Sequence, residues 1–312
     1  MFDPWPIVFM GTPRAAAATL EHLLKGSDHV VGVVTQPDRP SGRGQATTPS
    51  PVRRVAESHG IPILTPEKLK DPAFFSVLKS WGPLLIVVVA YGRILPRPVL
   101  DLAPYGCLNV HYSLLPKYRG AAPIAWAILN GEEQTGVTTM KLVEKMDAGP
   151  IYLQEEIRLE ADETAASLEA KLIPVGARLL LRTLDKLKEG TLNPASQKEE
   201  DVTYAPILKK EDGQIDWHQP AVAIERRVRA FCPWPSAYTH FGPKLLKVHR
   251  AAVVPTDEKR TPGEVVRADK SGLWVAAGQG FLSLEEVQLE DRKRLSAAEF
   301  LKGARIEKGD RF

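Results

Sequence analysis

The run Leu84-Leu85-Ile86-Val87-Val88-Val89-Ala90 leaves this chain little choice of fold. An apolar stretch without polar alternation cannot keep one face in water, so the strand it forms is covered on both sides, as in a parallel sheet flanked by helices. The sequence around it repeats the required unit. Ile7-Val8-Phe9-Met10 stops at Gly11, and Pro13 to Lys25 follows with helical spacing of Ala17, Leu20, Leu23 and Leu24. Residues 30–34, 61–64 and 106–111 read as further strands, and residues 51–59 and 72–80 as short helices. With strands at 136–142 and 151–157, residues 1–189 form a doubly wound, Rossmann-like α/β domain.

Past this domain the pattern changes. A long amphipathic helix from Thr164 to Leu187 is expected to break or bend near Pro174, and residues 190–206 have linker composition. In 207–312 a helix at 221–230 and a turn at Cys232-Pro233-Trp234-Pro235 precede strands at 238–241, 245–252, 263–267, 273–277 and 281–287. Many short strands with a closing helix from Ser296 suggest a small β-barrel.

Composition narrows the function classes. The 312 residues carry 41 Lys plus Arg against 38 Asp plus Glu, with 44% hydrophobic residues, which excludes a histone-like or disordered polybasic chain. Residues 1–200 are charge-neutral, so the whole surplus of +3 falls in the C-terminal third, a weak pointer to a polyanionic partner. Two distant cysteines, Cys107 and Cys232, argue against disulfides and a Cys-based zinc site. No basic leader with an apolar core opens the chain, and no apolar run approaches the ~20 residues of a membrane span. A soluble, cytoplasmic protein is expected.

In a parallel sheet, ligands sit outside the carboxyl ends of the strands. There Asn109 and His111 close an otherwise apolar strand, and their two-residue spacing points both to one face. Such a pair is either hydrogen-bonded structurally or faces a cleft. Asp147, before Ala148-Gly149-Pro150, is either a turn former or a third polar group for the same cleft. An amide to donate to an oxyanion, an imidazole to move a proton and a carboxylate to support it suit acyl transfer. Ser113 lacks a nucleophile elbow and Cys107 lies within the apolar strand, so direct attack by a substrate amine is more economical than a covalent enzyme intermediate. Neither a dinucleotide glycine pattern nor metal-ligand spacing of the seven His is present, which disfavours a nicotinamide dehydrogenase and a metal enzyme.

Seven ordered motifs then carry a resemblance: Phe9-Met10-Gly11-Thr12-Pro13, Thr35-Gln36-Pro37-Asp38-Arg39-Pro40, Val88-Val89-Ala90-Tyr91-Gly92, Asn109-Val110-His111, Ser113-Leu114-Leu115-Pro116, Arg119-Gly120-Ala121-Ala122-Pro123-Ile124 and Asp147-Ala148-Gly149. With Ile215-Asp216-Trp217, Arg229-Ala230-Phe231 and Pro233-Trp234-Pro235, the chain closely resembles the methionyl-tRNA formyltransferase family over nearly its whole length. The resemblance implies a formyltransferase domain followed by an OB-like domain that helps hold tRNA. It implies 10-formyltetrahydrofolate as formyl donor, without a metal, and initiator methionyl-tRNA as acceptor, with no membrane association. It also implies roles for Asn109 on the carbonyl oxygen, for His111 on the proton and for Asp147 as support of His111. Ser113, Leu114, Leu115 and Pro116, with Tyr91 and Gly92, match the folate-binding segments.

Arg39 and Arg43, in a loop from Thr35 to Pro51, are the candidates for tRNA contact. Here Gln45-Ala46-Thr47-Thr48 stands where family members often carry lysine, leaving Arg43 as the main candidate. Tyr112 stands where the family usually has a small residue, and it either narrows the folate cleft or packs below it. The alternatives are a formyltransferase acting on an amino sugar nucleotide and a non-catalytic RNA-binding protein. A monomer is expected.

Overall fold

The computed structural model describes residues 3–41 and 46–312. They divide into two compact units, one of Met1–Pro123, Gln134–Arg158 and Glu169–Ala205, the other of Ile124–Glu133, Leu159–Leu168 and Pro206–Phe312.

In chain order the elements up to residue 205 are β1 (Pro6–Gly11), α1 (Arg14–Leu24), β2 (His29–Val34), β3 (Arg39–Ser41), β4 (Ala46–Thr48), α2 (Pro51–Ser58), β5 (Ile63–Leu64), α3 (Pro72–Ser80), β6 (Leu85–Val89), α4 (Arg97–Leu100), β7 (Cys107–His111), β8 (Arg119–Gly120), α5 (Pro123–Leu129), β9 (Gln134–Lys141), β10 (Ile151–Arg158), α6 (Ala165–Glu189) and β11 (Tyr204–Ala205). Seven strands form one sheet in the order β10-β9-β7-β6-β1-β2-β5. From β7 to β5 neighbouring strands run parallel, and β9 and β10 add an antiparallel edge. Every residue of β6 and β7 is buried, the consequence of helices on both faces that the apolar run requires. β1 leads to β2 and β5 on one side, and from β5 the chain crosses back to β6 on the other side of β1, so the crevice at a topological switch point opens beside the carboxyl ends of β1 and β6.

Two expectations change. The segment 35–51 is not a plain loop: β3 and β4 pair antiparallel as a short ribbon, its base held where Thr35 Oγ1 meets Ser50 Oγ at 2.8 Å. The helix at 165–189 is uninterrupted, with Pro174 inside it. Proline removes one hydrogen bond and crowds the preceding turn, about 3 kcal/mol in a helix interior. Burial of Leu168, Leu172, Val175, Leu179, Leu180 and Leu184 along the same helix offsets it. Tyr112 packs on this side of the sheet: the space that a side chain at Gly176 would need is filled by Val110 and Tyr112. The ring therefore lies below the sheet, away from Asn109 and His111, and burial pushes its phenol up to about 12.

In the second unit, α7 (Ala221–Ala230) precedes β12 (Ala237–Phe241), β13 (Lys244–Val254), β14 (Val265–Asp269), β15 (Gly272–Ala276), β16 (Phe281–Leu289), β17 (Leu295–Ser296) and α8 (Ala297–Gly303). The sheet is antiparallel in the order β12-β13-β16-β15-β14, with β17 on β16. Ile224, Val228, Leu246, Val248, Leu273, Val275, Leu282, Leu284 and Phe300 form its core. Ser296 and Glu299 cap α8 reciprocally, which starts the closing helix where the sequence places it. The Trp126 indole donates to the Pro206 carbonyl at 3.0 Å and Arg229 to that of Glu163 at 2.8 Å, tying earlier segments into this unit. Among the described residues no helix is long and apolar enough to cross a membrane.

Candidate active site

Asn109 and His111 lie on β7 between β6 and β9, with Val88 beside Asn109 on one side and Met140 on the other. Their side chains are 9% and 6% exposed, so each is nearly dry and needs a defined partner or substrate. His111 Nε2 lies 2.9 Å from the Tyr118 carbonyl oxygen. A carbonyl only accepts, so Nε2 carries the hydrogen and Nδ1 is left as the basic nitrogen of the neutral ring. Nδ1 faces Asp147 Oδ2 at 3.7 Å, too long for a hydrogen bond in this arrangement.

Asp147 is held by the hydrogen bonds made to its turn. Its φ of +48° is in the left-handed region, unfavourable by roughly 1–2 kcal/mol for a residue with a Cβ. Oδ2 accepts from the Gly120 amide at 2.8 Å, and the Asp147 and Gly149 carbonyls both accept from Gln197 Nε2 at 2.8 Å. Gly120 is fixed by space: its φ is +127°, and a Cβ there would come within 2.5 Å of the Ala205 carbonyl oxygen on β11. Asp147 is thus both the turn former and the third polar group that its sequence context allows.

The remaining candidates fall in two groups. Ser113 and Leu115 are buried; the Ser113 hydroxyl donates to the Lys117 carbonyl at 2.7 Å, and Thr138 Oγ1 bridges the Ser113 carbonyl and the Leu115 amide. With Leu114 and Pro116 they form a turn whose polar atoms hold one another. At the switch point, the Tyr91 carbonyl accepts from Thr12 Oγ1 at 3.1 Å and from Gln36 Nε2 at 2.8 Å. Gly92 follows with φ +83°, and a Cβ there would lie 2.5 Å from Gln36 Nε2. Beyond it Arg93, Ile94, Leu95, Pro96 and Arg97 line a cavity of about 840 Å³ together with Leu69 and Lys70. Arg39 begins β3, and Arg43 lies outside the described residues.

Sequence reasoning missed three contributors. Arg119, named in the sequence only as part of a motif, is fully buried and pairs with Gln197 Oε1 at 2.9 Å and Glu199 Oε1 at 3.2 Å. Gln197 and Thr203 sit in the stretch read as linker, yet Gln197 reaches Asp147 and Thr203 Oγ1 accepts from the Tyr118 amide at 2.8 Å. Their partners lie 50 to 85 residues away in the chain, so no local spacing announces them.

A family model described as formyl transferase matches residues 6–184, and one described as formyl transferase, C-terminal domain, matches residues 207–305. A methionyl-tRNA formyltransferase of Geobacter metallireducens is 48% identical over 98% of this chain and 98% of its own length. That of Citrifermentans bemidjiense is 49% identical over 97% and 95%. This chain belongs to the methionyl-tRNA formyltransferase family. The family extends over both units, as the sequence motifs imply. Among solved structures, HypX from Aquifex aeolicus in complex with tetrahydrofolic acid superposes with a TM-score of 0.65 at 21% identity. It covers 98% of this chain, which spans about half of that one, and at this identity the likeness is one of fold.

Proposed function

We infer that this protein transfers the formyl group of 10-formyltetrahydrofolate to the α-amino group of methionine on initiator tRNA, for translation initiation. The observation that carries this is identity of 46–49% to methionyl-tRNA formyltransferases along nearly the full length of both proteins. The donor supplies an activated formyl carbon bonded to a nitrogen that leaves. The α-amine, with a pKa of about 7.7–8.0 when free, attacks that carbon as the neutral base. Carbonyl electrons move to oxygen, where the Asn109 amide donates, worth on the order of 3 kcal/mol for one such donor. His111 Nδ1 takes the proton of the attacking amine, and Asp147 Oδ2 stabilises the resulting imidazolium. When the carbon–nitrogen bond to the donor breaks, its electron pair goes to the folate nitrogen, which receives that proton. General acid–base transfer of this kind supplies roughly 10²–10⁴-fold.

The cavity of about 840 Å³ suits a folate donor: Ile94, Leu95 and the prolines offer apolar surface to aromatic rings, and Lys70, Arg93 and Arg97, beside Glu67 and Glu144 in the same lining, offer charge to carboxylates. Tyr91 and Gly92 lie just before its lining residue Arg93 in the chain, and we assign the turn from Ser113 to Pro116 to the donor site with them. We assign catalysis to residues 1–189, tRNA holding to 207–312, and to 190–206 the link between them together with support of the site through Gln197 and Thr203, with Arg39 and Arg43 adding phosphate contacts. The protein acts as a cytoplasmic monomer.

One comparison tests the reading: the same protein and folate donor are offered charged initiator tRNA or an amino sugar nucleotide. Formylation of the tRNA alone is expected. Formylation of the sugar with the tRNA untouched overturns it, and RNA binding without any formyl transfer identifies an adapter.

A further inference from the structure

We propose that Gln197 is a positioning residue for formyl transfer, fixing through the backbone of Asp147 the surroundings of the His111 imidazole. This rests on the reading of His111 and Asp147 as the pair that handles the proton.

The orientation of the Gln197 amide is chemically forced. The Arg119 guanidinium has only donors, so the side-chain atom 2.9 Å from its Nε is oxygen. The amide nitrogen then faces the carbonyls of Asp147 and Gly149, 2.8 Å from each, and both of its hydrogens are used. A flipped amide would set nitrogen against guanidinium and oxygen against two carbonyls. Arg119 is itself immobile, with no exposed surface and a second partner in Glu199. A buried charge thus holds one end of Gln197, and the other end holds the Asp147–Ala148 and Gly149–Pro150 peptide units through their carbonyls. Asp147 has a left-handed backbone and reaches His111 only across 3.7 Å, so a small shift of this turn changes the separation at once.

The same segment acts again six residues later. Thr203 takes the Tyr118 amide hydrogen, and the Arg119 amide donates to the Thr203 carbonyl at 2.9 Å. Tyr118 provides the carbonyl that fixes His111 Nε2. The stretch from Gln197 to Ala205 is therefore a strap that supports both neighbours of the imidazole while touching neither of its nitrogens.

The test is a double-mutant cycle read in steady-state formylation of charged initiator tRNA, with Gln197→Ala and Gln197→Glu each made alone and with Asp147→Asn. Gln197→Glu keeps the size and the oxygen for Arg119 but removes the donor, so it serves if the alanine variant folds poorly. We expect kcat to fall about 10- to 100-fold with KM for donor and tRNA changed less than about 3-fold, because misplacement rather than lost binding is at work. In the Asp147→Asn background the same changes should have less than about a 3-fold effect. Normal kcat in Gln197→Glu, or an undiminished effect when Asp147 is already replaced, overturns the proposal. Normal turnover of Asp147→Asn alone would instead refute the underlying assignment of the site.

Discussion

Strands β7 and β16 are both interior strands of their sheets and bury polar groups on opposite terms. β16 exposes the edges of Ser283, Glu285 and Glu286 while Leu282, Leu284 and Val287 enter the core, as an antiparallel sheet with one wet face allows. β7 has no wet face, yet Asn109 and His111 are inside it. A polar residue on β16 therefore says little, whereas a polar residue on β7 must be partnered by protein or by substrate.

The sharpest way to break this contrast is to remove the two polar groups of β7. Asn109→Ala and His111→Ala are expected to lower kcat by about 10²–10³-fold with donor affinity nearly unchanged. Steady-state kinetics with a direct donor-binding titration checks this, and near-normal turnover in both variants ends the assignment. On β16 the order of effects reverses. Leu284→Ala should destabilise the second unit by about 2–5 kcal/mol through the cavity it leaves, seen as an earlier urea transition, while kcat per folded molecule on tRNA changes little.

Tyr112, just beyond β7 and facing the helix side, gives a smaller, pH-dependent effect. Its folded-state pKa of about 12 is above the ordinary phenol value, so the folded protein holds this proton more tightly. The resulting stability is fully present below about pH 10 and is lost, at about 1.4 kcal/mol per pH unit, as pH rises toward 12. Thermal melts of Tyr112→Phe between these limits should decline less steeply than those of the parent. The mildest change belongs to the outer surface of the second sheet, where Arg267 lies over Trp274 at 3.8 Å. Trp274→Ala should reduce stability by only about 0.5–1 kcal/mol, measured by the same urea titration, and leave donor KM alone.

The contrast also explains what the sequence makes legible. β6 announces itself because an unbroken apolar run has few structural solutions, and Asn109 and His111 stand out by interrupting the apolar strand β7 beside it. The strands of the second unit are equally visible through their alternation and the turns between them. Arg119, Gln197 and Thr203 violate no local rule: a cation in a loop and polar residues in a linker are ordinary until the chain folds them together. Pro174 teaches the converse, since a strong local breaker yields where one helix face is extensively buried. The Arg39–Ser41 ribbon is hidden for a third reason, since two three-residue strands are too short to show a period.

The hydrogen bond from His111 to the Tyr118 carbonyl leaves the imidazole a single port. A ring open at both nitrogens can relay a proton from one side to the other, as a link in a wire. A ring with one nitrogen committed must return what it takes through the same atom. Entry and exit then have to be close in space, and formyl transfer meets that demand, because the incoming and outgoing nitrogens are briefly bonded to one carbon. On the role proposed for His111, the catalytic geometry is thereby narrowed to a back-and-forth at one vertex, in which the order of events follows from which of the two nitrogens is the stronger base at each moment.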